Sequence, residues 1–443
     1  MMKPKVCMTT LEFPPDIGGV GESVHRIAQM LLDLGFEVHV AVFRAVFRDA
    51  RAKAEAGEYQ RPRCQTSERD GVIVHRLQPA VRSTQAKEQD YFCDLYDQLQ
   101  LLHQRHQFDL LHAFFINEMG FLTTLLGQEE GIPVINSVRG ADLQKHIFSP
   151  PQFGQIAWTL THSAWTTFVS QSLMHRAQVL VPSIRSKTSA FWNAIAPLDF
   201  SNLPLPAQHQ RLQGTVIGSV GSFRDKKGLE YLLDACQTLS IDTPLTLLLV
   251  GDFVEKERDY WLQELRHCGL ADQVVITGKV SRAEALAYLP YMDIFAIPSL
   301  HDGCPNALLE AMLAARAVVG THVDAIGEIL DDGINGLVVP PADAGALAIA
   351  LQKLIASPNL REQLGLAARD KVLNQLTPAI EQQNWQQVYE QVLGSSGCSS
   401  QFAVRGSQFA ISPEDDLKVR NSALKTEEHR KPANSVTSSL LKI

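Results

Sequence analysis

With 443 residues, 45% of them hydrophobic and 20% charged, the chain has the composition of a globular protein and enough length for two domains. Its formal net charge of −8 argues against nonspecific binding of nucleic acid, so no nucleic-acid partner is expected. The seven cysteines are scattered and include no C-x-x-C pair, so they indicate neither a disulfide framework nor a zinc site and favour a reducing, cytoplasmic setting.

The first predicted unit is a strand, a glycine-rich loop, a helix and a second strand. An apolar strand over 6–13 leads into the loop 14–21, and the helix over 22–34 has apolar residues at helical spacing. This order opens a doubly wound α/β domain. Gly18 and Gly19 let the backbone come close to a ligand and are candidates for contacting a phosphate, although a tight turn alone would also need glycine.

Residues 44–71 interrupt this pattern, because seven basic residues are interleaved with acids and alanines. We interpret the segment as a mobile, solvated surface loop, and the alternative is an acceptor or membrane contact. Further strands are predicted at 72–77, 109–113, 132–138, 166–170 and 179–182, and a helix at 91–106. We interpret His25, His39 and His112 as structural residues.

A loop with Arg139 and Asp142 follows the strand at 132–138. These two residues can form a salt bridge within the loop.

The second half begins after a linker-like segment, 197–214. A strand at 215–221 enters a basic loop with Arg224, Lys226 and Lys227. Because the helix dipole disfavours cations at a helix start, these lysines indicate a ligand rather than a solvated helix end. Further strands are predicted at 245–250, 274–280, 293–299 and 318–321, and helices at 344–357, 360–374 and 378–393, with one more beginning at Glu328.

The strand at 293–299 leads into a loop with Asp302 and then into a helix that starts near Asn306 and Ala307 and carries Glu310. The helix start offers free N–H groups and the positive end of the dipole, which suit a phosphate. The two carboxylates can accept hydrogen bonds from hydroxyl groups, so the segment suits a sugar nucleotide. An ordinary strand–loop–helix turn with two solvated acids is the alternative.

Asp302 and Glu310 resemble the E-x7-E signature of the retaining GT-B glycosyltransferases of family 4 type, with Asp302 in the place of the first Glu. Lys227 matches the lysine of that family's Gly-Arg-x-x-x-x-Lys-Gly loop. Ser222 stands where the family has arginine, and Arg224 lies two positions later. The loop with Gly18 and Gly19 is similar to the family's Pro-x-x-Gly-Gly loop. Further departures are 193–195, where the family has an Asn-Gly turn, and Arg316, where it prefers glycine.

The resemblance implies an α/β fold of the GT-B type, with two doubly wound Rossmann-like domains facing each other across a cleft. It implies that Lys227, Arg224 and Asp302 are catalytic and that Arg139 and Asp142 border the transferred sugar or the acceptor. The donor would be bound by Gly18, Gly19, Lys227, Lys279, Val280, Asn306, Ala307 and Glu310. No metal and no cofactor is expected; the donor substrate would be a UDP- or GDP-sugar.

We expect an acceptor-side domain over 1–200, a linker over 201–214, a nucleotide-sugar-binding domain over 215–377, a helix over 378–393 that crosses back to the first domain, and a disordered tail over 394–443.

The implied function is transfer of a hexosyl unit to a saccharide, lipid-linked or small-molecule acceptor with retention of anomeric configuration, as in polysaccharide biosynthesis. It allows a peripheral contact with the inner face of the membrane. Two alternatives are a noncatalytic sugar-nucleotide binder, which the departures at Asp302 and Ser222 suggest, and a sugar-nucleotide epimerase of the same architecture. An NAD enzyme ranks last, because the glycines at 18–21 lack the G-x-G-x-x-G spacing.

Overall fold

The structure is a computed structural model that describes residues 3–16, 18–43, 47–200, 202–240 and 244–394. The tail predicted over 394–443 lies outside the described residues, except for Gly394. Two open sheets, each flanked by helices, make up the fold. This confirms the predicted pair of doubly wound α/β units, whereas the exact domain boundaries stay a prediction.

The first sheet has eight strands in the order β3-β4-β2-β1-β5-β6-β7-β8. Its strands are β1 Lys5–Thr10, β2 Glu37–Phe43, β3 Arg63–Arg69, β4 Val72–Gln78, β5 Leu110–Phe114, β6 Val134–Val138, β7 Trp165–Phe168 and β8 Thr188–Ala190. Its helices are α1 Gly19–Asp33, α2 Phe47–Glu55, α3 Glu88–His106, α4 Met119–Glu130, α5 Ala141–Gln144, α6 Pro150–His162 and α7 Gln171–Leu180. All neighbouring strands are parallel except β3 and β4.

The second sheet has six parallel strands in the order β11-β10-β9-β12-β13-β14. Its strands are β9 Thr215–Val220, β10 Leu245–Val250, β11 Val274–Ile276, β12 Ile294–Ile297, β13 Ala317–Thr321 and β14 Leu337–Val339. The remaining helices are α8 Leu229–Ser240, α9 Arg258–His267, α10 Arg282–Tyr288, α11 Asn306–Leu313, α12 Asp324–Ile329, α13 Ala344–Ala356, α14 Pro358–Gln375 and α15 Pro378–Gly394.

The central strands are largely buried and mostly apolar because helices cover both faces of each sheet. Every residue of β10 is buried; Leu247 and Leu249 pack into one core layer, and Leu248 and Val250 into the layer on the opposite face. Because both faces of β10 are buried, its predicted bounds, 245–250, agree with the structure. The strand predicted at 274–280 is too long, because β11 ends at Ile276 and Gly278 has a φ of 72°. The strand predicted at 6–13 likewise ends earlier, at Thr10.

Strand order reverses once in each sheet, between β1 and β5 in the first and between β9 and β12 in the second. In open parallel sheets, ligands bind beyond the carboxyl ends of the strands at such a switch point. The loops that follow β1, β9 and β12 carry the glycine pair, the basic loop and Asp302, so the topology brings the predicted site segments to these edges.

The prediction of a surface loop over 44–71 is wrong for most of its length. Residues 47–55 form helix α2, and β3 pairs with β4 in an antiparallel hairpin. Asp70 and Gly71 connect these strands with φ values of 52° and 80°, as an Asp-Gly type I′ turn requires. Every residue of β3 is exposed, so this polar edge strand lacks the apolar alternation that would have revealed it.

Two further predictions are corrected by the structure. The apolar run at 179–182 is the last turn of α7, followed by a 3-10 helix over Pro182–Lys187, and not a strand. Ser170 starts α7 by accepting a hydrogen bond from the Leu173 backbone N–H at 3.3 Å. Glu328 lies near the end of α12 rather than at the start of a helix, because that helix begins at Asp324.

The last helix, α15, packs against the first sheet. Trp385 and Tyr389 are almost fully buried, and the Tyr389 hydroxyl is 2.8 Å from Nδ1 of His112. Nε2 of His112 is 2.8 Å from the Ser137 hydroxyl, and burial lowers the pKa of His112 to about 3. His112 is therefore a neutral core residue, in agreement with its structural interpretation. Among the described residues, no helix is both long and apolar enough to cross a lipid bilayer.

Candidate active site

The basic loop after β9 is held in place by its glycines and by one aromatic anchor. Phe223 is buried, and its ring centroid is 6.0 Å from that of Phe253. A 3-10 helix over Asp225–Lys227 follows, and Gly228 ends it with φ of 63°. A Cβ atom at Gly228 would stand 2.0 Å from the Pro298 carbonyl oxygen, so only glycine fits there. The loop thereby packs against the segment that carries Asp302.

Lys227 and Asp302 form an ion pair at the centre of this edge, with Nζ and Oδ2 2.5 Å apart. Their side chains are 20% and 13% exposed, so water screens the pair only weakly. Burial raises the pKa of the Asp302 carboxyl, but the charges of Lys227, Lys226 and Arg224 outweigh this effect and lower it. Burial also lowers the pKa of Lys226. The carboxylate is thus surrounded by cations that outnumber it.

The loop around Asp302 is braced by the following strand and helix. The Thr321 hydroxyl donates to the Ser299 carbonyl at 2.5 Å, and the Asp302 backbone N–H donates to Asp324 at 3.0 Å. Gly303 lies against the other half of the cleft, because a Cβ atom there would be 2.3 Å from the Arg139 carbonyl oxygen. This loop therefore touches the loop that follows β6.

Glu310 is the fifth residue of α11 and is buried. Its Oε1 accepts hydrogen bonds from Nε and a terminal nitrogen of Arg282, at 3.1 and 3.0 Å. Arg282 also lies 3.7 Å from Glu22 on α1, across the cleft. Burial raises the pKa of Glu310, and the Arg282 guanidinium opposes that rise. Arg282 was not predicted, because no local pattern joins it to Glu310.

The glycine loop faces the start of α11. A Cβ atom at Gly19, the first residue of α1, would be 4.0 Å from Nδ2 of Asn306. A Cβ atom at Gly18 would overlap the Glu12 carboxylate at 1.8 Å. Two helix N-termini, those of α1 and α11, therefore lie close together, with Ala307 in the first turn of α11. Glu12 was not predicted to be at the site.

Lys279 and Val280 follow β11 at its carboxyl end. Lys279 is exposed, whereas Val280 is half-buried against the core of the second sheet. Their position at the sheet edge is the one that the resemblance implies for contacting a nucleotide base. That contact stays a prediction.

Arg139 and Asp142 are brought together through the backbone. The Arg139 backbone N–H donates to one oxygen of Asp142 at 3.0 Å, and the other oxygen accepts from the Ile116 backbone N–H at 3.0 Å. The Arg139 guanidinium instead donates to Ser23 and Asn193, at 3.0 and 2.8 Å. The salt-bridge alternative is therefore wrong, and the fully buried Asp142 holds its loop in shape. Contact with a sugar stays a prediction for both residues.

Asn193 is a bridging residue that sequence reasoning missed. Its amide donates to the Cys304 carbonyl and to Oδ1 of Asn306, at 3.0 and 3.1 Å, while its oxygen accepts from Arg139. Glu381 of α15 adds a second bridge, because it accepts from Arg26 at 2.7 Å and from the Ala194 backbone N–H at 3.3 Å. The departure from an Asn-Gly turn at 193–195 was the signal that could have drawn attention to this segment.

Comparison with known proteins agrees with this geometry. The model described as "Glycosyl transferase 4-like domain" matches residues 18–190, and the one described as "Glycosyl transferases group 1" matches residues 214–357. An uncharacterized glycosyltransferase of Methanocaldococcus jannaschii is 23% identical over 364 residues, which are 82% of this chain and 91% of that protein. The amylovoran biosynthesis glycosyltransferase AmsK of Erwinia amylovora is 30% identical over 207 residues, 45% of this chain and 49% of that protein.

Solved structures show the same fold. Sucrose-phosphate synthase from Thermosynechococcus elongatus superposes with a TM-score of 0.70 at 18% identity and covers 89% of this chain and 100% of its own. Anabaena HepE in complex with UDP and glucose has a TM-score of 0.67 at 18% identity, with 87% and 99% covered. The comparisons support glycosyltransferase activity rather than an epimerase or a noncatalytic binder. The chain belongs to the group 1 glycosyltransferases of family 4 type, with the GT-B fold.

Proposed function

We propose that the chain transfers a hexosyl unit from a UDP- or GDP-sugar to a saccharide, lipid-linked or small-molecule acceptor, with retention at the anomeric carbon. The observation that carries this proposal is the Lys227–Asp302 pair, set among further cations at the edge where two helix N-termini meet. It combines groups for a departing diphosphate with a carboxylate for the sugar.

The cations serve the leaving group. As the glycosidic bond to the donor breaks, negative charge accumulates on the nucleotide diphosphate. Lys227 is already fixed by Asp302, and Arg224 stands close enough to lower the pKa of that carboxyl. Preorganised charges of this kind stabilise the transition state without reorganising during the reaction. The backbone N–H groups at the starts of α1 and α11 supply further donors for phosphate oxygens.

Asp302 serves the transferred sugar. Within the part of the chain that the structure describes, Lys227 and Ser299 both bond to Oδ2, which leaves Oδ1 for a sugar hydroxyl. The transition state of glycosyl transfer resembles an oxocarbenium ion, and a nearby carboxylate favours its positive charge. Asp302 is one methylene shorter than the glutamate of the family signature, so the sugar sits closer to the loop or is reached through a water molecule.

Glu310 serves the nucleotide. Arg282 holds one oxygen of its carboxylate, and the side chain lies beside the helix start that would receive the phosphates. A carboxylate held in this way can accept hydrogen bonds from both hydroxyl groups of a ribose. Lys279 and Val280 would contact the base through their backbone.

A panel of UDP-, GDP- and ADP-sugars tests the proposal. A donor at 100 times its Kd should stabilise the protein by about 2.7 kcal/mol, which a thermal shift resolves readily. The donor that binds should then release its nucleotide faster when an acceptor is added, and NMR of the product should show the donor's anomeric configuration. Binding without acceptor-dependent release would contradict the proposal. The cytoplasmic setting and the membrane contact stay predictions.

A further inference from the structure

Three histidines from distant parts of the sequence meet in the first half of the chain. His39 lies on β2, His75 on β4, and His106 is the last residue of α3. One nitrogen from each ring lies within 4.8 Å of the others. Since α3 ends just before β5 begins, His106 marks the amino edge of the sheet, opposite the edge that carries the candidate active site.

The buried pair is oriented by its neighbours. Nδ1 of His39 and Nε2 of His75 face each other at 2.9 Å. The outer nitrogen of His39 is 3.1 Å from a Glu37 carboxylate oxygen, and that of His75 is 2.9 Å from the Thr66 hydroxyl. If the two outer nitrogens carry the protons, both inner nitrogens direct lone pairs into the same space. A cation there would satisfy both.

We propose that His39, His75 and His106 bind one zinc ion, with a water molecule as the fourth ligand. Neutral imidazole suits zinc, whereas calcium and magnesium prefer oxygen ligands. A carboxylate that accepts a hydrogen bond from the far nitrogen of a metal-bound histidine is the usual second partner of such a site, and Glu37 is placed for that role.

The buried pair needs little adjustment to bind one ion, and the His106 nitrogen, which lies within 4.8 Å of both, would move inward by up to about 1.4 Å. In a tetrahedral site with Zn–N bonds of about 2.0–2.1 Å, ligand nitrogens stand about 3.4 Å apart. The facing nitrogens of His39 and His75 would therefore separate by about half an ångström from their distance of 2.9 Å. His39 and His75 are fully buried, but His106 is partly exposed, which gives the ion and its water a route from solvent.

The zinc would fasten the end of α3 to β2 and β4. It would stabilise the first half of the chain rather than take part in catalysis, because the candidate active site lies at the opposite, carboxyl edge of the sheet. The competing arrangement is a chain of hydrogen bonds in which Thr66 donates to His75, His75 to His39 and His39 to Glu37. That chain needs no metal, so metal content distinguishes the two.

The test measures zinc in the full-length protein without a histidine tag. After growth with zinc and exhaustive dialysis, elemental analysis should find about one zinc per chain. His106→Gln should lose it. His267→Gln is the matched control, since His267 is also the last residue of its helix but has an exposed side chain, and it should keep the zinc. Absence of zinc from the wild type, or equal zinc in His106→Gln, would overturn the proposal.

If His106→Gln fails to fold, a second measurement still tests the zinc proposal. Glu37→Gln should lower zinc affinity about 10–100-fold in competition with a chelator, because it removes the carboxylate that orients His39. Cobalt substitution should give the visible spectrum of a tetrahedral nitrogen site without thiolate charge-transfer bands. Thiolate bands would place the metal on cysteines, and unchanged affinity in Glu37→Gln would place it away from His39; either result overturns the assignment.

Discussion

Replacing Lys227 by methionine removes one charge from the candidate active site while keeping most of the side-chain volume. In the free enzyme this leaves the Asp302 carboxylate without the ammonium group 2.5 Å away. In the transition state it leaves the departing diphosphate without its best-fixed cation. The same ion pair therefore affects both the free energy of unfolding and the rate of transfer, and this variant allows the two effects to be measured separately.

The expected magnitudes follow from the surroundings of the pair. Removing one partner of a buried ion pair costs about 3–5 kcal/mol, and we expect about 3 kcal/mol here because Lys226 and Arg224 remain beside Asp302. Removing one group that stabilises developing negative charge lowers kcat by about 10²–10³. The loss of rate should therefore persist at temperatures where the variant is fully folded.

The assay is steady-state nucleotide release with a saturating donor, beside urea unfolding of the same preparation. Lys256→Met is the matched control, because its side chain is 72% exposed and forms a surface pair with Glu257. This control should change stability by no more than about 0.5 kcal/mol and leave turnover unchanged. Turnover of Lys227→Met within about tenfold of the wild type would refute the leaving-group role of this loop.

Other changes test the remaining roles. Glu310→Gln should mainly raise the KM for the donor. Asp302→Asn should lower kcat, whereas Asp302→Glu should keep activity with an altered sugar preference. Equal, mild KM effects from all three variants would mean that these acids are only surface charge. The pKa of Asp302 is lowered, so its pairing stabilises the fold fully above its ordinary pKa of 3.8 and is lost as pH falls through the lower folded value. Urea unfolding of wild type and Asp302→Asn should thus differ at pH 7 and pH 5 and converge only below pH of about 3.8, and convergence already at pH 5 would argue against the pair. Turnover should survive EDTA, and recovery of lost activity specifically by Mn²⁺ or Mg²⁺ would contradict this. Truncation after Gly394 should leave turnover unchanged, and a large loss would make the tail functional.

The strands were predictable where both of their faces are buried. The parallel strand β10 is apolar at every position except Thr246 and is bounded by loops, so its predicted bounds match the structure. The predicted ends of β1 and β11, residues 13 and 280, lie beyond the observed ends at Thr10 and Ile276. The exposed edge strand β3 has no such pattern, and only the Asp70–Gly71 turn signals its hairpin. The end of α7 was mistaken for a strand because a short apolar run does not distinguish helix from strand.

The position of the site was predictable for a topological reason, since carboxyl ends of parallel strands share one edge. Its internal pairings were not, because they join residues far apart in sequence, as in Arg282 with Glu310 and Asn193 with Arg139. Arg316 is a similar case. Its guanidinium donates to the carbonyls of Ala314, Pro290 and Met292, so it ties the end of α11 to the segment before β12.

Helix α15 also determines when the first half of the protein can finish folding during synthesis. Tyr389 completes the core around His112, yet 277 residues separate them. A ribosome releases the amino-terminal half first, so the surface that Trp385 and Tyr389 cover stays in contact with water until α15 has been translated. Contacts of such long sequence separation form late and slowly. A message that stops before residue 378 therefore yields a first half with an uncovered apolar face, a substrate for aggregation or for chaperones.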